Sequence, residues 1–136
     1  MARRRSDHNK REPDVSIEFD NDSGAPRKAR QAVRPLISAL NDPVADAVET
    51  VTSELVSNVV EHTADGGTVK AWDPKPDVPL RVEVADRDPA EPTPQDVATD
   101  AGGRGLRIVE QLADEWGVKR DDVGKTVWAE FDRDAH

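Results

Sequence analysis

ELVSNVVEH, residues 54–62, decides how this chain is to be read. Leu55, Val56, Val59 and Val60 recur at the three- and four-residue spacing of a helix, and at about 100° per residue they fill one apolar arc. Glu54, Asn58 and His62 follow one another at intervals of four and line the border of that arc. Thr50, Ser57 and Glu61 fall on a third side, which the spacing assigns to solvent. The polar stripe has two readings. It is either an ordinary boundary between core and water, or a helix face offering a carboxylate, an amide oxygen and an imidazole to one ligand. A hard cation such as magnesium accepts oxygen donors and keeps waters and phosphate oxygens, so an Asn beside a Glu suits it. The Glu could also polarise a hydroxyl.

Working outward, Asn41 or Asp42 with Pro43 reads as a cap and first turn, so the helix runs from about Val44 to His62. Before it, RKARQAVRPLISAL carries Ala29, Ala32, Val33, Leu36, Ile37 and Leu40 at helical spacing. Pro26 suits the first turn of that helix, and Pro35 is expected to kink or interrupt it. VSIEF (15–19) alternates as a half-buried strand does. After the loop 63–67, TVKAW (68–72) and LRVEVAD (80–86) read as strands joined by the proline-rich DPKPDVP, and the stretch 86–103 reads as a long loop. A third helix is expected over about Leu106 to Trp116. GVKRDDVGKTVWAEF then forms a closing hairpin turned at Asp122 to Gly124. The order predicts an α+β fold in two layers, a mixed but mostly antiparallel sheet with helices on one face.

Composition narrows the function. A chain of 136 residues holds one domain with a real core, and the absence of cysteine removes disulfides and thiolate zinc sites from consideration. No apolar run is long enough for a membrane span, and MARRRSDHNKREP lacks the apolar stretch of a secretory signal, so the chain is expected to be cytoplasmic. The formal charge is −9, and it is uneven, because residues 1–13 carry five basic and two acidic side chains. The body is therefore strongly acidic, which argues against nucleic acid as the main partner. The tail 1–13 reads as disordered and basic, and 14–133 as the folded domain. Trp72, Trp116 and Trp128 read as core or sheet-face residues, since no basic groove accompanies them.

Two further features carry chemistry. Asp86 ends a strand where the chain enters a loop; its carboxylate is either a common strand-end cap or an acceptor for an exocyclic amine. In AGGRGLRIVEQLADEWGV (101–118), Gly102, Gly103 and Gly105 precede a helix whose N-terminal N–H groups could meet an anion, with Arg104 and Arg107 nearby. The cluster could equally be a hinge, and it matches no phosphate loop of the GxxxxGK[ST] type.

In order and spacing, ELVSNVVEH, VEVADRDP and GGRGLRIVEQLADEWGV, with GKTVWAEF as the last strand, resemble the N, G1 and G2 boxes of the GHKL ATPase superfamily. The nearest likeness is to small actinobacterial histidine-kinase-like ATPase domains related to anti-sigma-factor serine/threonine kinases, over roughly Val15 to Phe131. The resemblance implies the Bergerat two-layer α/β sandwich with ATP and Mg2+ as ligands. It implies that Asn58 ligates magnesium, that Glu54 is the general base and that His62 lies toward the phosphates. Asp86 would accept the adenine amine; Gly102, Gly103, Arg104, Gly105 and Leu106 would line the phosphate side; Thr126 would support the adenine end; and about 89–101 would be the lid, with Arg87 and Arg104 its nearby cations. Where the family pattern has a glycine two residues after the aspartate, this chain has Asp88 followed by Pro89. The implied partners are a sigma factor and an anti-sigma-factor antagonist, in a possible homodimer. The implied activity is phosphorylation of that antagonist, the alternative being a nucleotide-responsive binding domain without phosphoryl transfer.

Overall fold

The computed structural model describes residues 11–62, 65–75, 77–87, 104–120 and 124–132. Five strands, β1 (Val15–Phe19), β2 (Gly67–Trp72), β3 (Leu80–Asp86), β4 (Glu115–Arg120) and β5 (Lys125–Phe131), form one sheet in the order β1-β2-β3-β5-β4. Every pairing is antiparallel. Three helices, α1 (Ala25–Ile37), α2 (Asp42–His62) and α3 (Arg104–Leu112), cover one face.

Register explains the two faces. Phe19, Val69, Ala71, Val82, Val84, Val127 and Ala129 lie in alternating positions on paired strands and join Val48, Val51, Leu55, Val56 and Val59 of α2 in the core. Each such valine or leucine stabilises by about 1.5–3 kcal/mol on full burial. The 21-residue α2 is therefore anchored along its whole apolar face. Its start is capped as the sequence suggests, with the Val44 amide donating to Asn41 Oδ1 at 3.0 Å.

Two expectations need correction. Pro35 lies inside α1 without interrupting it, and the helix ends two residues later. The third helix stops at Leu112, not near Trp116. The Asp114 amide donates to the Glu130 carbonyl at 2.9 Å, and Asp114 Oδ2 accepts from the Asp132 amide at 2.8 Å. Those bonds draw the chain into the sheet, and Trp116 becomes the second residue of β4, partly buried against the core. At the other end, contacts begin ahead of β1. The Trp72 indole donates to the Arg11 carbonyl at 2.9 Å, and Arg11 Nη2 donates to the Asp73 carbonyl at 2.8 Å.

The helix-free face carries a second, polar packing unit. Arg81 of β3 is only 2% exposed; its Nη1 donates to Glu130 Oε2 at 2.7 Å and its Nε to Glu83 Oε2 at 2.8 Å. Its guanidinium stacks 4.5 Å from the centroid of the Trp128 ring. Trp128 in turn lies over Gly117, its cross-strand partner on β4, where a Cβ would come within 2.7 Å of the indole. Gly117 is thus the gap that lets the ring lie flat.

Candidate functional site

On α2, Glu54 and Asn58 are half-buried and His62 is exposed. Among the described residues none of the three side chains is engaged in a hydrogen bond or ion pair. Of the side expected to face water, Thr50 and Glu61 are exposed, whereas Ser57 is half-buried.

Chain connectivity brings Asp86 to the same end of the sheet. Only residues 63–66 separate His62 from Gly67, and Gly67 stands directly opposite Asp86 in the β2–β3 register. The Asn21 amide group donates to the Val60 carbonyl at 2.9 Å and ties the turn before α1 to the last turn of α2. Asp86 is 7% exposed and shares the helix-covered face with Val82 and Val84. Its Oδ1 accepts the Lys125 backbone N–H at 3.1 Å from the neighbouring strand β5. Oδ2 takes no hydrogen bond from the described residues and is not sealed from solvent. A buried carboxylate with one oxygen fixed and the other open is an oriented acceptor, and a donor presented to it is discriminated from an acceptor by the cost of leaving it unmatched.

The remaining candidates divide. Thr126 pairs with Ala85, and the alternation of β5 puts it on the face of Trp128 and Glu130, away from Asp86. Lys125, not among the residues the motif boxes imply, is the β5 residue beside Asp86. The alternation of Val127, Ala129 and Phe131 toward the core could have assigned it. Leu106 places its side chain in the hydrophobic core at 6% exposure, so any ligand contact there falls to the backbone. Arg104 and Gly105 form the first turn of α3, where N–H groups lack intrahelical partners. Gly102, Gly103, Asp88 and the 89–101 stretch lie outside the described residues.

Arg87, expected as a cation near the lid, is engaged by the protein itself. Its Nε and Nη2 donate to the Asp65 carbonyl at 3.1 and 2.7 Å, and Nη2 also donates to the Phe19 carbonyl at 3.3 Å. Nη1 donates to the Gly67 carbonyl at 3.3 Å and to Glu18 Oε1 at 3.4 Å. A guanidinium has five N–H donors, and these five contacts use them all.

Comparison with known proteins agrees with this fold. No curated protein matches the chain. Among solved structures, that of the RsbU and RsbW domains of Rv1364c from Mycobacterium tuberculosis shares the fold, with a TM-score of 0.68 at 22% sequence identity. The likeness covers 87% of this chain and 32% of that one, so this chain spans about a third of the length of the chain it matches. No helix among the described residues is long and apolar enough to cross a membrane. With a family model matching residues 19–131, nearly the whole sheet and all three helices, the chain belongs to the histidine kinase-like ATPase domain family.

Proposed function

We propose that this chain is an ATP-binding regulatory protein acting as an anti-sigma factor and as a serine/threonine kinase of an anti-sigma-factor antagonist. The observation that carries the nucleotide reading is Asp86: a buried carboxylate with Oδ1 held by the Lys125 amide and Oδ2 open, at the strand end that pairs with Gly67, five residues after the end of α2. Oδ2 would take the exocyclic amine of adenine. Asn58, half-buried and without a protein partner among the described residues, would give its side-chain oxygen to Mg2+, whose other ligands would be phosphate oxygens and water. The first-turn amides of α3 would meet phosphate oxygens.

For phosphoryl transfer, Glu54 lies one turn before Asn58 on the same helix face. It would accept the proton of a partner's serine or threonine hydroxyl as that oxygen bonds to the γ-phosphorus, the bond to the bridging oxygen breaks and ADP leaves. The magnesium would supply charge neutralisation on the phosphates. The partners, a sigma factor and an antagonist protein, and a homodimeric state follow from the resemblance of the three motif boxes.

One observation favours the second reading, a domain that binds nucleotide and switches partners without transfer. The five N–H groups of Arg87 are spent on the protein, so it has none left to donate to a transferring phosphoryl group. One measurement tests the nucleotide site common to both readings, and a second separates them. Calorimetric titration with magnesium-ATP should show saturable binding by the wild-type chain and about tenfold weaker binding by Asn58→Ala, with the deficit vanishing when magnesium is omitted from both. Saturable binding that is indifferent to Asn58 would remove the metal role. Glu54→Ala should keep ATP affinity within about twofold while phosphorylation of the antagonist drops by a factor of about 10² or more, the range of general-base catalysis. Undiminished phosphate incorporation in that variant would sink the kinase mechanism.

A further inference from the structure

Asp86 is the last residue of β3, and a strand end frays unless something beyond the ladder pins it. The next residue does so. The Arg87 backbone amide donates to the Gly66 carbonyl at 3.2 Å, which extends the β2–β3 pairing one step past Asp86. Its side chain then crosses the end of the sheet, gathering the carbonyls of Phe19 from β1, Asp65 from the connection that follows α2, and Gly67 from β2. Glu18 and Asp20 flank the guanidinium at 3.4 and 3.9 Å. Gly66 makes the crossing possible: at φ +71° it adopts a left-handed backbone, and a Cβ there would come within 3.0 Å of Arg87 Nη2 and collide with the Phe19 carbonyl.

Three segments therefore converge on one planar fork: the end of β1, the turn leading out of α2 and the start of β2. All lie beside the residue whose carboxylate is held on its other flank by the Lys125 amide. We infer that Arg87 is a positioning residue for Asp86: its five-bond fork fixes the end of β3 against β1 and β2, and so sets the base preference of the site. This rests on the nucleotide reading of Asp86 for its ligand readout. Arg87 touches no ligand in this role. It acts by holding Asp86 Oδ2 where an amine donor is preferred over a carbonyl acceptor. Lysine cannot replace it, because an ammonium has three donors and no plane to span carbonyls on three segments.

The test uses the full chain with Arg87→Gln and Arg87→Lys, titrated calorimetrically with magnesium-ATP and magnesium-GTP. Both variants should bind ATP about tenfold more weakly while GTP affinity changes little, so that the preference for ATP shrinks by the same factor. In an Asp86→Asn background, Arg87→Gln should have no further effect on ATP, the signature of residues that act as a unit. Equal losses for ATP and GTP, an unchanged preference, or additive effects in the double variant would overturn the inference, as would full recovery by lysine. A second readout needs no ligand: hydrogen exchange at the Lys125 amide should quicken about tenfold in Arg87→Gln while that of Val127 and Phe131 holds. Unchanged protection at Lys125 also overturns it. A wild-type chain that binds no nucleotide would overturn the reading of the site, and the exchange measurement would still decide whether Arg87 positions Asp86.

Discussion

Replacing Asp86 by asparagine should weaken magnesium-ATP binding by about 10²-fold and leave the fold intact. Asparagine is isosteric, and its oxygen can still accept the Lys125 N–H that Oδ1 accepts at 3.1 Å. The group in the Oδ2 position then becomes an amide NH2. A donor would face the amine of adenine, itself a donor, and the charge-assisted bond is lost; a hydrogen bond to a charged group contributes about 1.5–3 kcal/mol, and an unmatched buried donor adds to the deficit. The sign for guanine is opposite, since guanine presents a carbonyl oxygen where adenine presents the amine. GTP affinity should therefore hold or rise, and the ratio of the two dissociation constants, measured by titration of the same preparation, should move toward or past unity. An Asp86→Asn variant that binds ATP as the wild type does would show that the carboxylate does not read the base. Circular dichroism of the variant checks that its sheet is formed, because Asp86 is only 7% exposed and a collapsed strand end would weaken both nucleotides alike.

What could be read from the sequence follows from how local each feature is. VSIEF, LRVEVAD and the α2 stripe declare themselves through alternation or helical spacing within a few residues, and the structure forms all three. The order of the elements supplied the two-layer fold and the likeness of three spaced motifs its type, which no single segment could. Asp86 was visible because it ends an apolar strand. What was hidden depends on register between strands far apart in the chain. The helical spacing of Leu106, Val109, Leu112 and Ala113 runs on toward Trp116, but the last residues are claimed by pairing with β5, a long-range bond pattern that overrides a local period. Thr126 and Lys125 differ only in which sheet face they take, and a shift of one residue exchanges them. Arg87 reads locally as a cation near the lid, yet its partners come from residues 18–20 and 65–67, which only the folded sheet brings within reach. The same holds on the opposite face. In LRVEVAD the alternation marks Arg81 and Glu83 as outward-facing, and nothing local says that Trp72, Trp128 and Glu130 stand in the neighbouring strands to bury them.

That buried unit supports the largest expected effect on stability. Arg81→Met should destabilise the fold by about 3–5 kcal/mol in denaturant titration at neutral pH, because it removes the guanidinium that lies 2.7 Å from a Glu130 carboxylate only 4% exposed. The methionine keeps much of the contact with the Trp128 face, so packing loss is the smaller part. The companion variant Arg81→Met/Glu130→Met then tests the cause. With both charges gone the desolvation penalty disappears as well, and a hydrophobic pair in place of a buried ion pair is often neutral or better, so the double variant should recover most of the stability lost by the single one. Equal destabilisation of single and double variants would mean that stacking on Trp128, not the ion pair, holds this face. Glu83 gives an internal control. Its contact with Arg81 Nε is nearly as short, 2.8 Å, but its side chain is 15% exposed and better hydrated, so Glu83→Gln should cost about 1 kcal/mol or less. The ordering of the three variants, not any single value, decides whether burial sets the energetics of this network. If it does, the face opposite the candidate site is held in register by one arginine, much as the end of β3 is held by another.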